Sequence, residues 1–147
     1  MAKTIQLEMI TPEKVALKTP ADFVALPAHG GEMGVLPGHE PYWVELKAGE
    51  IRVRSQGDVR SFAIAGGFAE IVRDRVSIFA ESADLSHEID AERERQVLEK
   101  AKAEVSRHDI DPVTLAAAEA AMRFAQIKLR ISGLRGREGR GSPREQP

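Results

Sequence analysis

The hydrophobic pattern of this 147-residue chain changes period once, near residue 86. That change constrains the fold more than any other feature, because strands alternate with period two and helices repeat every 3.6 residues. Before it, KTIQLEMI sets Ile5, Leu7 and Met9 on one side and Thr4, Gln6 and Glu8 on the other. VALK, FVAL, YWVEL, IRVRS, RSFAIA, FAEIV and VSIFA follow as short strand patterns. Turn signals separate them at Thr11 to Lys14, Pro27 to Gly31, Ala48 to Glu50, Gln56 to Asp58, Gly66-Gly67 and Arg73 to Arg75. Closely spaced short strands with turns between them predict an antiparallel β-sandwich or flattened barrel over residues 1–86. Arg52 and Arg54 alternate with Ile51 and Val53, which gives that strand a solvated face.

From Ile89 to Arg107 the sequence favours helix, with Ile89, Val97, Ala101 and Val105 on one stripe and Arg93 in the remaining slot. Asp111-Pro112 starts a second helix, Asp as cap and Pro in the first turn. Its inward face is Leu115, Ala118, Met122, Ala125 and Leu129, and Gly133 is expected to stop it. A connection this short makes the two helices antiparallel neighbours over residues 87–132. The fold class is therefore β plus α, a sandwich followed by a two-helix hairpin. The interface is rich in alanine, which buries little area, so the hairpin is expected to be weakly held and able to detach. Residues 133–147, GLRGREGRGSPREQP, have no large apolar residue after Leu134 and read as a disordered basic tail.

Composition narrows the chemistry. A net charge of −2 supplies no overall basic field for nucleic acid or an anionic membrane. The absence of cysteine excludes disulfides, thiolate metal sites and cysteine nucleophiles. No apolar run reaches the roughly 18 residues of a membrane-spanning helix, and MAKTIQLEMI lacks the pattern of a secretory signal. No phosphate-binding loop, GxSxG or HExxH pattern occurs. His29, His39, Glu32 and Glu40 are the one group with metal-ligating types at close spacing, but without the paired histidines such sites use. Neither a metal site nor a catalytic residue is expected. The chain reads as an interaction module with one conspicuous loop, GGEMGVLPGHEP.

That loop carries a resemblance. Gly31, Glu32, Gly34, Pro37, Gly38, His39 and Pro41 match the Gly-Glu-x-Gly-x-x-Pro-Gly-His-x-Pro pattern of the epsilon subunit of the bacterial F-type ATP synthase. ITPEKV, KAGEIRVR, AGGFAEIVRDRVSIFAESA and HEIDAERE extend the likeness over about residues 3–132. The resemblance implies a non-catalytic rotor subunit. Its sandwich packs on the gamma subunit and meets the c-subunit ring, coupling proton-driven rotation to ATP synthesis. Its helices can extend along the shaft to the alpha and beta subunits and block ATP hydrolysis. It implies ring contact at Glu32, Met33 and Gly34, and shaft contact at His39 and Thr11. It implies a peripheral location on the cytoplasmic face of the bacterial inner membrane, reached only through the complex, with no nucleic-acid partner.

Some members of that family bind ATP through an Ile-Asp-x-x-Arg-Ala motif, matched here by Ile89, Asp90 and Arg93. Glu94 stands in place of Ala, and Lys100, Phe124 and Lys128 stand where further arginines are used. A carboxylate beside a triphosphate and the loss of bidentate forks imply a weak nucleotide site or none, and no cofactor. The rival reading is a free-standing sandwich that binds a ligand or metal, with the hairpin as a dimerisation device.

Overall fold

The computed structural model describes residues 3–138 and divides into two compact units, Met1–Leu85 and Ser86–Pro147. The first is built from ten strands. They are β1 (Ile5–Ile10), β2 (Val15–Ala21), β3 (Phe23–Ala28), β4 (Gly31–Val35), β5 (Tyr42–Leu46), β6 (Gly49–Ser55), β7 (Asp58–Ile64), β8 (Gly67–Val72), β9 (Arg75–Ala80) and β10 (Ala83–Leu85). The strand path runs β10-β7-β6-β3-β5-β8-β9-β1-β2, with β4 paired to β3. The end strand β2 folds back onto β6: Ser55 donates from Oγ to the Pro20 carbonyl at 2.8 Å, and the Asp22 amide donates to the Arg54 carbonyl at 2.8 Å. The result is a sandwich that is nearly a closed barrel.

Alternation decides which residues are inside. Ile5, Leu7 and Met9 of β1, Ile51 and Val53 of β6, Ile71 of β8, and Val76 and Ile78 of β9 are all buried in one apolar cluster. Each large aliphatic side chain removed from water there stabilises the fold by about 1.5–3 kcal/mol. Central β3 is buried over Val24, Ala25 and Leu26, which explains its unbroken apolar run. The turn between β6 and β7 uses Gln56 (φ 52°) and Gly57 (φ 84°), the positive angles that suit a two-residue hairpin.

Three details depart from the expected strands. The pairing of β1 with β9 is parallel, amid otherwise antiparallel ladders, because the two are linked through most of the sandwich and not by a hairpin. Pro27 lies inside β3, opposite Glu32, and only His29-Gly30 turns the chain. Segment Gly31–Val35, expected as loop, is strand β4. Its glycines weaken intrinsic strand preference, but β3 supplies a full ladder and Val35 is buried in the core. Gly34 fits there because Phe23 lies over it: a Cβ would stand 2.9 Å from Phe23 Cε2.

The second unit holds a 3-10 turn at Ser86–Glu88 and two helices, α1 (Ala91–Val105) and α2 (Pro112–Glu138). Asp90 caps α1, accepting from the Glu92 and Arg93 amides at 3.1 and 3.2 Å. Asp111 caps α2 through the Thr114 amide at 2.9 Å and hydroxyl at 2.6 Å. The expected end of the second helix is corrected: α2 runs through Gly133 to Glu138, into the segment read as tail. Gly133 does not adopt the left-handed φ of a helix-ending glycine. A glycine inside a helix costs about 1 kcal/mol, which weakens it without terminating it. The rest of the expected tail, 139–147, lies outside the described residues.

The expected stripe on α1 is corrected too. Its inward residues are Glu94, Leu98, Ala101 and Val105, while Val97 and Arg93 are exposed. At about 100° per residue, positions 89, 97, 101 and 105 drift by roughly 160° and share no face. Positions 94, 98, 101 and 105 stay within about 60°. On α2, Ala118 and Ala125 are buried and Leu115, Met122 and Leu129 half-buried, as their spacing predicts.

Candidate interaction surfaces

Strand β4 separates the triplet Glu32, Met33 and Gly34 by the pleat. Glu32 and Gly34 face outward, whereas Met33 turns inward and packs against the core. Glu32 is not a bare carboxylate: its Oε1 accepts from Arg52 Nη2, and Arg52 also lies 3.9 Å from Glu50. An exposed pair of this kind contributes about 0–1 kcal/mol, so it orients the two side chains more than it stabilises the sheet. The arginines of β6 are thus engaged, since Arg54 also lies 5.3 Å over the Phe23 ring.

The segment Leu36–Pro41 joins β4 to β5. Gly38 turns at φ 83°, and its amide donates to Asp74 Oδ1 at 2.9 Å. The His39 amide donates to the Leu36 carbonyl at 3.2 Å. His39 Nδ1 lies 2.6 Å from the Glu40 carbonyl. A carbonyl only accepts, so Nδ1 is the donor. The ring meets Tyr42 edge-on at 6.5 Å. His39 is therefore a half-buried turn residue whose ring is held by its neighbour's backbone.

Thr11 is placed differently. It is almost buried, its hydroxyl donates to the Lys14 carbonyl at 3.2 Å and accepts from the Lys14 amide at 3.3 Å, and it closes the β1–β2 turn. Gln6, at the other end of β1, donates to the Asp74 carbonyl beside the His39 segment. Thr11 lies five steps along the chain from Gln6, roughly 17 Å at 3.3–3.4 Å per residue. Thr11 and His39 do not form one patch.

The sandwich presents a surface that the sequence reading did not assign. Trp43 of β5, Phe68 of β8 and Phe79 of β9 form a ladder, with ring centroids 4.9 Å apart at both steps. Trp43 is 62% exposed and Phe68 36%. The signal was present as phase. Core residues of these strands are Val44 and Leu46, Ala69 and Ile71, and Ile78 and Ala80. The three aromatic residues occupy the opposite, water-facing phase. One aromatic there is ordinary, but three on adjacent strands make a contiguous apolar surface.

The metal-ligating types do not converge. His29 pairs with Glu45 at 3.5 Å, Glu32 with Arg52, and His39 with a backbone carbonyl. Among the described residues no group of three or more His, Asp or Glu side chains is placed to hold an ion. The nucleotide-motif residues stand at the start of α1. The Asp90 carboxylate is engaged as a helix cap, Ile89 is half-buried beside it, and Arg93 is exposed on α1 away from the inward face. Glu94 Oε1 accepts from Lys128 Nζ at 3.4 Å.

Two carboxylates at the interhelical turn are perturbed. The Arg107 guanidinium beside Asp109 and the Thr114 hydroxyl beside Asp111 hold both below the ordinary carboxylate value.

The outward aromatic face thus belongs to a ten-stranded sandwich joined in sequence to a two-helix hairpin, a β plus α chain. Residues 4–86 match the family described as ATP synthase, Delta/Epsilon chain, beta-sandwich domain. The chain is 39% identical over 132 residues to the ATP synthase epsilon chain of Syntrophobacter fumaroxidans, covering 90% of this chain and 98% of that one. It is 44% identical over 108 residues to the epsilon chain of Elusimicrobium minutum, covering 73% and 80%. A chain in the structure of the Euglena gracilis mitochondrial ATP synthase (OSCP/F1/c-ring) matches with a TM-score of 0.74 at 29% identity, covering 89% of this chain and 81% of that one. The chain belongs to the ATP synthase epsilon chain family.

Proposed function

We propose that this chain is the non-catalytic rotor subunit of a proton-translocating ATP synthase, linking the central shaft to the c-subunit ring. The observation that carries the reading is the Trp43–Phe68–Phe79 ladder on the water-facing phase of three strands. Buried aromatic anchors dominate protein–protein affinity, and this ladder is the strongest exposed apolar feature of the sandwich. It is the docking face for the gamma subunit, and His39, which meets Tyr42 edge-on at the start of β5, is a second contact with the shaft. Glu32 and Gly34, outward on β4, face the polar ends of the c ring. Met33 and Thr11 act indirectly, the first by anchoring β4 and the second by fixing the β1–β2 turn.

A part that transmits torque needs surfaces of fixed shape. Here each contact segment is tied to a second element: Glu32 to Arg52 of β6, and Gly38 to Asp74 of the β8–β9 turn. The hairpin is the regulatory element, reaching the alpha and beta subunits when extended and restraining ATP hydrolysis. The subunit then sits peripherally, on the cytoplasmic face of the bacterial inner membrane. No helix among the described residues is long and apolar enough to cross a membrane.

The test is ATP hydrolysis and proton-driven synthesis by the assembled enzyme, with the subunit whole or ending at Ser86. Hydrolysis rising several-fold while synthesis survives is the expected outcome. Unchanged hydrolysis removes the regulatory part of the reading. A whole chain that does not enter the enzyme removes the rest.

A further inference from the structure

The segment Leu36–Pro41 is stiff near both ends and loose in the middle. Pro37 and Pro41 have φ fixed by their rings and donate no backbone hydrogen bond, whereas Gly38 between them takes a left-handed φ of 83°. The direction in which His39 is presented therefore depends on Gly38. A bond from a distant part of the sandwich falls on that same residue: the Gly38 amide donates to Asp74 Oδ1 at 2.9 Å, across 36 positions of the chain.

Asp74 is itself held. It stands in the two-residue turn between β8 and β9, closed by the Val72–Arg75 pair, with Arg73 at φ 55°. Its carbonyl accepts from the Gln6 amide of β1 at 2.7 Å. An aspartate in a tight turn ordinarily bonds the backbone of its own turn. Here the carboxylate reaches another segment instead, so one residue joins β1, the β8–β9 turn and the β4–β5 connection. An ionised acceptor makes the stronger kind of hydrogen bond, and a short side chain on a fixed turn loses little freedom in making it.

We propose that Asp74 is the positioning residue of the His39 contact: its carboxylate sets the Gly38 pivot and so presents His39 to the partner, acting through the segment and not by a contact of its own. The proposal rests on reading His39 as a contact with the central shaft. Inside the segment, the His39 amide bonds the Leu36 carbonyl and the His39 ring bonds the Glu40 carbonyl. Those bonds shape the turn, but their partners lie within the segment and move with it. The Asp74 carboxylate comes from outside and fixes the pivot against the sheet.

Amide hydrogen exchange of the purified full chain, followed residue by residue by NMR, reads the clip without any partner. Asp74→Ala removes the acceptor and should speed exchange at Gly38 about two- to tenfold. Asp74→Asn keeps an oxygen acceptor and removes the charge, and should hold Gly38 within about twofold of wild type. The Gln6 amide bonds the backbone of residue 74 and should be unchanged in both variants. Gly38 and Gln6 quickening together would mark Asp74 as a structural residue of its own turn and overturn the proposal. Calorimetric titration with the gamma subunit reads the consequence. Asp74→Ala should weaken binding about two- to tenfold, and Asp74→Asn should not. His39→Ala should weaken it too, and the His39→Ala/Asp74→Ala double variant should bind no more weakly than His39→Ala alone, because Asp74 acts through the segment that carries His39. Unchanged Gly38 exchange in Asp74→Ala, an equal loss of affinity in Asp74→Asn, or additive losses in the double variant would each overturn the positioning role. If His39→Ala leaves the affinity unchanged, the contact reading fails and the positioning role falls with it. If His39→Ala weakens binding and Asp74→Ala does not, the contact stands and only the positioning role falls.

Discussion

Replacing Trp43 by alanine separates the docking role of the aromatic ladder from any structural one. An aromatic side chain buries up to about 250 Å² when fully covered. Trp43 is 62% exposed in the free chain, so about 150 Å² of that remains for a partner to cover. At about 25 cal/mol per Å² this is an upper bound near 4 kcal/mol, and truncations of central aromatic anchors typically cost more than about 2 kcal/mol. The affinity for the gamma subunit should then fall roughly 30- to 1,000-fold. The folded chain loses only the stack on Phe68, about 0.5–1.5 kcal/mol. Calorimetric titration with the gamma subunit measures the first quantity and thermal unfolding the second. Trp43 is the only tryptophan in the chain, so wild-type emission should shift to the blue as the face is covered. Affinity within threefold of wild type, with emission unmoved on binding, would refute the assignment of this face.

Two further perturbations address the scaffold and the hairpin. Gly67→Ala places a Cβ far inside van der Waals contact distance of the Phe79 carbonyl oxygen, at a backbone with φ 148°. Strain and overpacking together should destabilise the sandwich by about 3 kcal/mol or more, lowering its melting temperature by more than about 10 °C in calorimetry. Asp111 is held below the ordinary carboxylate value by the Thr114 hydroxyl, so its cap is bound better ionised than the unfolded chain is. Its contribution is therefore complete above about pH 3.9, the unfolded value, and is lost as pH falls through the lower folded value. The Thr114 amide resonance should stay constant from pH 7 to about 5 and collapse only in stronger acid, while Asp111→Ala, which removes the cap, should abolish the titration.

Local signals made the fold readable. Alternation in IQLEM, the Gln56-Gly57 turn and Asp111-Pro112 each act within a few residues, and each reappears as strand, hairpin or cap. What escaped depends on distant partners. Strand β4 exists because β3 offers it a ladder, which no property of GEMGV predicts. The parallel pairing of β1 with β9 joins segments some 70 positions apart, as Gln6 beside Arg75 shows. The aromatic ladder was legible in principle, since phase alone marks Trp43, Phe68 and Phe79 as outward.

The candidate site was legible where one residue acts through its own backbone, and not where it acts through another element. His39 beside the Glu40 carbonyl is a local turn, as its loop suggests. Glu32 and Glu94 are both carboxylates whose sequence neighbours give no hint of a partner, yet each meets a cation from another element: Arg52 across the sheet, Lys128 across the hairpin. The two pairs differ in surroundings, and that difference decides what they can do. The first is exposed, so water competes with it and Arg52 can release Glu32 to a partner at little cost. The second is largely shielded, so neither charge can leave without the helices parting. The sandwich carboxylate can therefore exchange partners without disturbing the sheet, whereas the hairpin carboxylate changes its surroundings only when α1 and α2 move apart.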